Sequence, residues 1–204
     1  MCIRETIRPA PCVLIEAGSR QGGDRFVGAY ITAMTIFLII ILSAFIIWNI
    51  TQLWQINIKG RTPWFPTPSK ASDIICDRIK LLPGETFAEI GAGSGRISME
   101  IARRHPDNQI YAYEIAYVPF TIGWLNALKY PNVHFIRADF RDVDLNGINY
   151  FYSFLNKAGT AALVQTLDQL QKPAKLYSLA FRDTKHQLLE TIPAGRQFIY
   201  LYQL

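Results

Sequence analysis

Residues 86–96 read Thr-Phe-Ala-Glu-Ile-Gly-Ala-Gly-Ser-Gly-Arg, and this stretch decides the fold. A short apolar run carries an acid at its end, Glu89, and the alternate glycines Gly91, Gly93 and Gly95 follow. Without a Cβ, glycine allows a tight turn and lets a ligand press against the backbone. A helix beginning near Gly95 aims its unpaired N–H groups back at that turn. The spacing removes two familiar meanings of a glycine-rich loop. A dinucleotide fingerprint needs its third glycine one residue later, where this chain has Arg96. No Lys-Ser or Lys-Thr follows, so the loop is not a P-loop.

Outward from the turn, strand and helix patterns alternate. Ile97, Ile101 and Ala102 mark one buried helix face, which ends at Arg103 and Arg104, cations suited to a helix C-terminus. Strand-like runs follow at 109–115, 132–137, 148–154 and 175–181, with a terminal one at 197–202. Between them lie a helix opened by Tyr117-Val118-Pro119 and another at 160–170. Upstream, Thr67 is placed to cap a helix with Pro68 at its first position, and Ile74, Ile75, Ile79 and Leu82 supply its apolar face. Strands alternating with helices predict an α/β domain over residues 67–204, a Rossmann-like doubly wound and mostly parallel sheet.

The run Glu89-Ile90-Gly91-Ala92-Gly93-Ser94-Gly95 resembles motif I of the class I S-adenosylmethionine (SAM) dependent methyltransferases. In open sheets of this kind the ligand sits outside the carboxyl ends of the strands, and Glu89, Glu114 and Asp139 all fall on that edge. Glu114, followed by Ile115, lies about 20 residues beyond the glycines, the offset at which a carboxylate accepts hydrogen bonds from ribose hydroxyls. The resemblance implies that Asp139 takes the adenine amino group with Phe140 flanking the ring, and that Glu89 attracts the cationic amino-acid half, in part through water or a loop N–H. Any one of these acids reads equally well as a helix cap.

Residues 26–50 carry no charge and are mostly Ile, Leu, Phe, Ala and Val, a length that spans a bilayer as a helix. Tyr30, Trp48 and Trp54 sit near its ends, where amphipathic rings favour the headgroup layer. The expected organisation is a flexible tail (1–25), one transmembrane helix (26–50), a linker (51–66) and the catalytic domain. Arg8, Arg20 and Arg25 before the span balance Lys59, Arg61 and Lys70 after it, so loop charge does not orient it. The formal net charge of +5 is spread without a basic run. It suits an anionic membrane surface better than nucleic acid. Cys2, Cys12 and Cys76, and the isolated His105, His134 and His186, lack metal-ligand spacing, so no metal is expected.

The span, then Pro63-Trp64-Phe65-Pro66-Thr67-Pro68, then motif I, is similar in layout to the single-span protein-lysine methyltransferases of the ATP synthase c subunit and the adenine nucleotide translocase. That family's motif usually carries Asp where this chain has Glu89 and again where it has Ser94; the second change removes a carboxylate. The resemblance implies a lysine acceptor on a membrane protein and a domain facing the cytoplasm of a bacterium or the mitochondrial matrix. Phe65, Tyr152 and Phe154 are the candidates for an apolar acceptor pocket, which would favour an uncharged lysine. Ordinary strand core is the rival reading for the last two. No general base stands out. The chain lacks the Asp/Asn-Pro-Pro-Tyr/Phe motif of amide and base methylation, which argues against a nucleic-acid substrate. Two other readings stay open: a lipid or small apolar acceptor, and a silent SAM-binding module that recruits partners to a membrane.

Overall fold

The computed structural model describes residues 20–59 and 65–204, with side chains for 28–51 and 65–204. The expected tail over 1–19 and the lead-in residues 60–64 lie outside that range. The chain divides into two compact units, residues 1–50 and 51–204.

A long helix, α1 (Arg20–Lys59), makes up the described part of the first unit and continues past its boundary into the expected linker. Within it Gly28–Thr51 forms 24 residues of mean hydropathy 2.6, long and apolar enough to cross a membrane. Its polar side chains return their protons to the helix: Thr32 Oγ1 donates to Gly28 O, Thr35 Oγ1 to Ile31 O and Asn49 Nδ2 to Phe45 O, at 2.7–2.9 Å. Such bonds satisfy groups for which hydrocarbon offers no partner.

The second unit runs α2 (Ser69–Arg78), β1 (Thr86–Ile90), α3 (Arg96–Arg104), β2 (Gln109–Tyr113), α4 (Tyr117–Ala127), β3 (Val133–Ile136), β4 (Tyr150–Ser153), α5 (Lys157–Leu167), β5 (Lys175–Leu179), β6 (Gln187–Ala194) and β7 (Gln197–Gln203). A 3₁₀ turn, Phe140–Asp142, follows β3. The seven strands pair in the order β3-β2-β1-β4-β5-β7-β6. β3 to β5 are parallel, and β7 runs antiparallel to both neighbours. The chain winds outward from β1 through β2 to β3, then returns to β4 beside β1. That reversal opens a crevice at the carboxyl ends of β1 and β4.

Pleating sorts the strand residues onto two faces. Phe87, Tyr152 and Leu179 pack with Ile75 and Cys76 of α2 and Ile97 and Ile101 of α3. Ala88, Ile90, Phe151 and Leu176 pack with Leu163, Val164 and Leu167 of α5. The expected doubly wound sheet is therefore present, with two local differences. Thr67 does not cap α2: the helix starts at Ser69, with Pro68 in the cap position and its carbonyl accepting from Ser72 N at 2.9 Å. An additional strand, β6, pairs only with β7 at the sheet's margin. Its Pro193 lacks an N–H, which a central strand would need and an edge strand does not.

Candidate functional site

The glycine turn is a cradle made of backbone. Gly91, Gly93 and Gly95 have φ of 75°, 58° and 76°, a region costly to any residue with a Cβ. Close packing adds to this: a Cβ on Gly91 would lie 2.9 Å from Leu155 Cδ2, and one on Gly95 2.6 Å from Phe135 Cε2. The N–H groups of Gly91 and Ala92 both donate to Tyr113 O at 2.9 Å, stitching the turn to the end of β2. Ala92 is buried with Met99 and Phe135.

Glu114, one residue beyond β2, closes the cradle. Its Oε2 accepts from Gly93 N and its Oε1 from Ala116 N, each at 2.8 Å, so one carboxylate holds both the glycine turn and the approach to α4. It is 7 % exposed. Ile115 beside it is half-buried. Beyond β3, Asp139 accepts from Arg141 N at 3.1 Å, from its Nε at 2.9 Å and from its Nη2 at 2.5 Å. Phe140 packs, partly buried, against the α5-side core. The structure thus brings the glycines, Glu114, Asp139 and Phe140 to the carboxyl edge, as the spacing predicts.

Glu89 sits differently. It is still within β1, paired with Ala112 and Tyr152, and the pleat sends its side chain under α3. There Oε2 accepts from Ser98 N at 2.9 Å and from Ser98 Oγ at 2.6 Å, satisfying an N–H of the first turn of α3. Burial pushes its carboxyl up to about 8, against the Ser98 bonds, with the charge of Glu114 adding to the rise. The Ser98 bonds make Glu89 a cap for α3, and burial raises its carboxyl toward the neutral form.

Tyr152 is also internal. It is 1 % exposed, and its hydroxyl shares a 3.0 Å hydrogen bond with Thr67 Oγ1. Burial raises its phenol, opposed by Thr67, and does the same to the Cys76 thiol, up to about 12. Tyr152 thus lies in the core under α2 and α3 rather than on a pocket wall. Phe154 is partly buried on the same cluster, and Phe65 is exposed. Ser94 is half-buried, and its carbonyl accepts from Asn126 Nδ2 at 3.5 Å. It lines an open cleft of about 600 Å³ between α2, α3 and α4, with Arg96, Asn126 and Lys129. Sequence reasoning missed Ser98, Thr67's hydroxyl bond and Leu155. Only Ser98 left a signal, a hydroxyl on the otherwise apolar face of α3 formed by Ile97, Ile101 and Ala102. Among the described residues no group of three or more His, Cys, Asp or Glu is arranged to hold a metal ion.

The sequence matches no family model and no curated protein. Its fold does have solved counterparts. The RNA methyltransferase from Salinibacter ruber, in complex with S-adenosyl-L-homocysteine, matches with a TM-score of 0.62 at 20% identity, over 68% of this chain and 93% of its own. Precorrin-6y C5,15-methyltransferase from Geobacter metallireducens matches at 0.58 and 15%, covering 68% of this chain and 89% of its own. The M1A22 tRNA methyltransferase TrmK from B. subtilis matches at 0.56 and 15%, covering 67% and 66%. The likeness is one of fold: this chain has the Rossmann-like architecture of the SAM-dependent methyltransferases.

Proposed function

We propose that this protein is a SAM-dependent methyltransferase, held at a membrane by Gly28–Thr51, that methylates a lysine side chain of a membrane protein. The observation that carries the first part is the positive-φ glycine cradle closed by Glu114. The residues fit the cofactor. A turn free of Cβ atoms accommodates a close ligand, and an acceptor-only carboxylate suits the paired hydroxyls of a ribose. Gly91, Ala92, Gly93, Ser94 and Gly95 would hold the amino-acid half, Glu114 and Ile115 the ribose, and Asp139 and Phe140 the adenine. The Arg141 guanidinium orients the Asp139 carboxylate and favours its accepting form. When bound, SAM supplies a methyl group on a sulfonium, open to in-line displacement. The chain's part is to align the acceptor and exclude water.

The lysine acceptor rests on the layout of span, proline-rich lead-in and motif I. Phe65 and Phe154 are the aromatic chains available for its pocket, whereas Tyr152 is buried with its hydroxyl on Thr67. RNA and precorrin methyltransferases share the fold, so the acceptor has to be determined by experiment. The test is calorimetry of the full chain in detergent with SAM, compared with Glu114→Ala, then labelling of native membranes with methyl-radiolabelled SAM. Expected results are binding that the substitution weakens at least tenfold, and label in the protein fraction. Label confined to lipid or to RNA would overturn the lysine acceptor, and a folded chain that ignores SAM would overturn the whole reading.

A further inference from the structure

Helix α4 is built inside out. It contains no charged residue between Tyr117 and Ala127, and its buried residues are small, Pro119, Gly123 and Ala127, with Phe120 half-buried against Phe135. At Gly123 the helix lies so close to Phe135 that a Cβ would stand 2.1 Å from Phe135 Cζ. A soluble helix places its large apolar chains inward. Here Tyr117, Val118, Ile122, Trp124, Leu125 and Leu128 face outward, all between 40% and 70% exposed. Contiguous apolar surface of this kind marks a contact with another apolar phase or partner.

Three observations select a bilayer surface. Cations stand at both ends of the apolar face: Arg137 lies 3.7 Å over the ring of Tyr117, and exposed Lys129 follows Leu128. Those cations, with a Trp and a Tyr among the outward chains, are side chains that suit the layer between headgroups and acyl chains. The chain also carries its own span, ending at Thr51, and α2 begins at Ser69. The residues between them extend at most about 3.5 Å each, so the chain tethers the domain within roughly 60 Å of the end of the span. A face that would bind lipid weakly by itself is thereby kept at high local concentration.

We propose that α4 docks on the membrane as an in-plane helix, its outward face in the interfacial layer of an anionic bilayer. This rests on the membrane-anchored reading above. Because α4 begins three residues after Glu114, docking would hold the cofactor edge of the sheet at the membrane surface, where a membrane-embedded acceptor is in reach.

The test uses the full chain with Cys2→Ser and Cys12→Ser, leaving buried Cys76, reconstituted into phosphatidylcholine–phosphatidylglycerol vesicles. A nitroxide is placed at Leu125→Cys, at Leu38→Cys in the span, or at exposed Gln187→Cys on the far edge strand. Power saturation then compares oxygen with a water-soluble nickel chelate. The expected result is an oxygen-to-nickel accessibility ratio at Leu125 several-fold above that at Gln187 and approaching that at Leu38. A Leu125 ratio equal to that of Gln187 overturns docking. So does a label shielded from both reagents, which means protein covers the helix. Leu38 separates the two failures: lipid-exposed there with Leu125 in water sinks docking alone, whereas both in water sinks the anchor as well.

Discussion

Glu89→Gln is the substitution that tests the internal electrostatics of the site most directly. Glu89 is 4% exposed under α3, and burial holds its carboxyl near 8 against 4.5 in an unfolded chain. Below about 4.5 both states are protonated and its contribution is fully present. Between about 4.5 and 8 the folded protein binds a proton that the unfolded chain lacks, so stability falls as pH rises, by about 1.4 kcal/mol per unit. From roughly pH 5 to pH 8 that amounts to about 4 kcal/mol, an upper figure because a buried site relaxes around a charge. A glutamine at this position would keep the shape and the acceptor for Ser98 but could not ionise. Urea unfolding of the full chain in detergent, at half-unit steps across this window, gives the difference between the two proteins. The expected difference is small at pH 5 and grows in favour of the variant, to about 2–4 kcal/mol at pH 8. A difference that stays flat, or that grows in favour of the wild type, refutes a neutral Glu89.

Two other substitution pairs test packing. Gly95→Ala and Gly147→Ala impose the same backbone strain, at φ of 76° and 82°, but only the first drives a Cβ to within 2.6 Å of Phe135. We expect about 1 kcal/mol lost at Gly147 and about 2–4 at Gly95 by urea unfolding, and equal losses would mean that packing at the turn is unimportant. Tyr152→Phe removes a buried hydroxyl from Thr67 at a cost of about 1 kcal/mol. Adding Thr67→Val should cost little more, since the partner is already gone, and additive losses would show that the two hydroxyls act separately.

Most of the architecture is legible in the sequence because it is written in local patterns. Apolar runs separated by helical spacing place β1 to β5 and β7 within a few residues. The run 187–194 escapes because it looks like a loop: Gln187, Glu190 and Pro193 interrupt it, and only pairing with β7 makes it a strand. Helix α5 begins three residues before the sequence pattern suggests because its cap, Asn156, accepts from Gly159 N and draws Lys157 to Gly159 into the helix. In the site, Glu114 and Asp139 can be placed by counting because both lie beyond their strands, where the backbone turns toward the crevice. Glu89 and Tyr152 cannot. Each is still inside a strand, so its direction depends on the pleat and not on its distance from the glycines.

That parity is nonetheless written in the chain. Glu89 alternates with Phe87, and Tyr152 is its cross-strand partner, so all three point to the α2–α3 face. The result is a buried polar line across the core: Thr67 to Tyr152, Tyr152 beside Glu89, and Glu89 to Ser98 in the first turn of α3. Its two ends have different roles. Thr67 is where the lead-in meets the domain, and α3 begins immediately after Gly95. A core of hydrocarbon alone would tolerate small slides of α3 over the sheet, whereas hydrogen bonds inside it have a preferred geometry and are costly to break. The polar line therefore helps to fix the helix that follows the glycine turn. Glu89, which the sequence reading assigns to the amino-acid half of the cofactor, is bonded in this way to the first turn of the helix that follows the glycines.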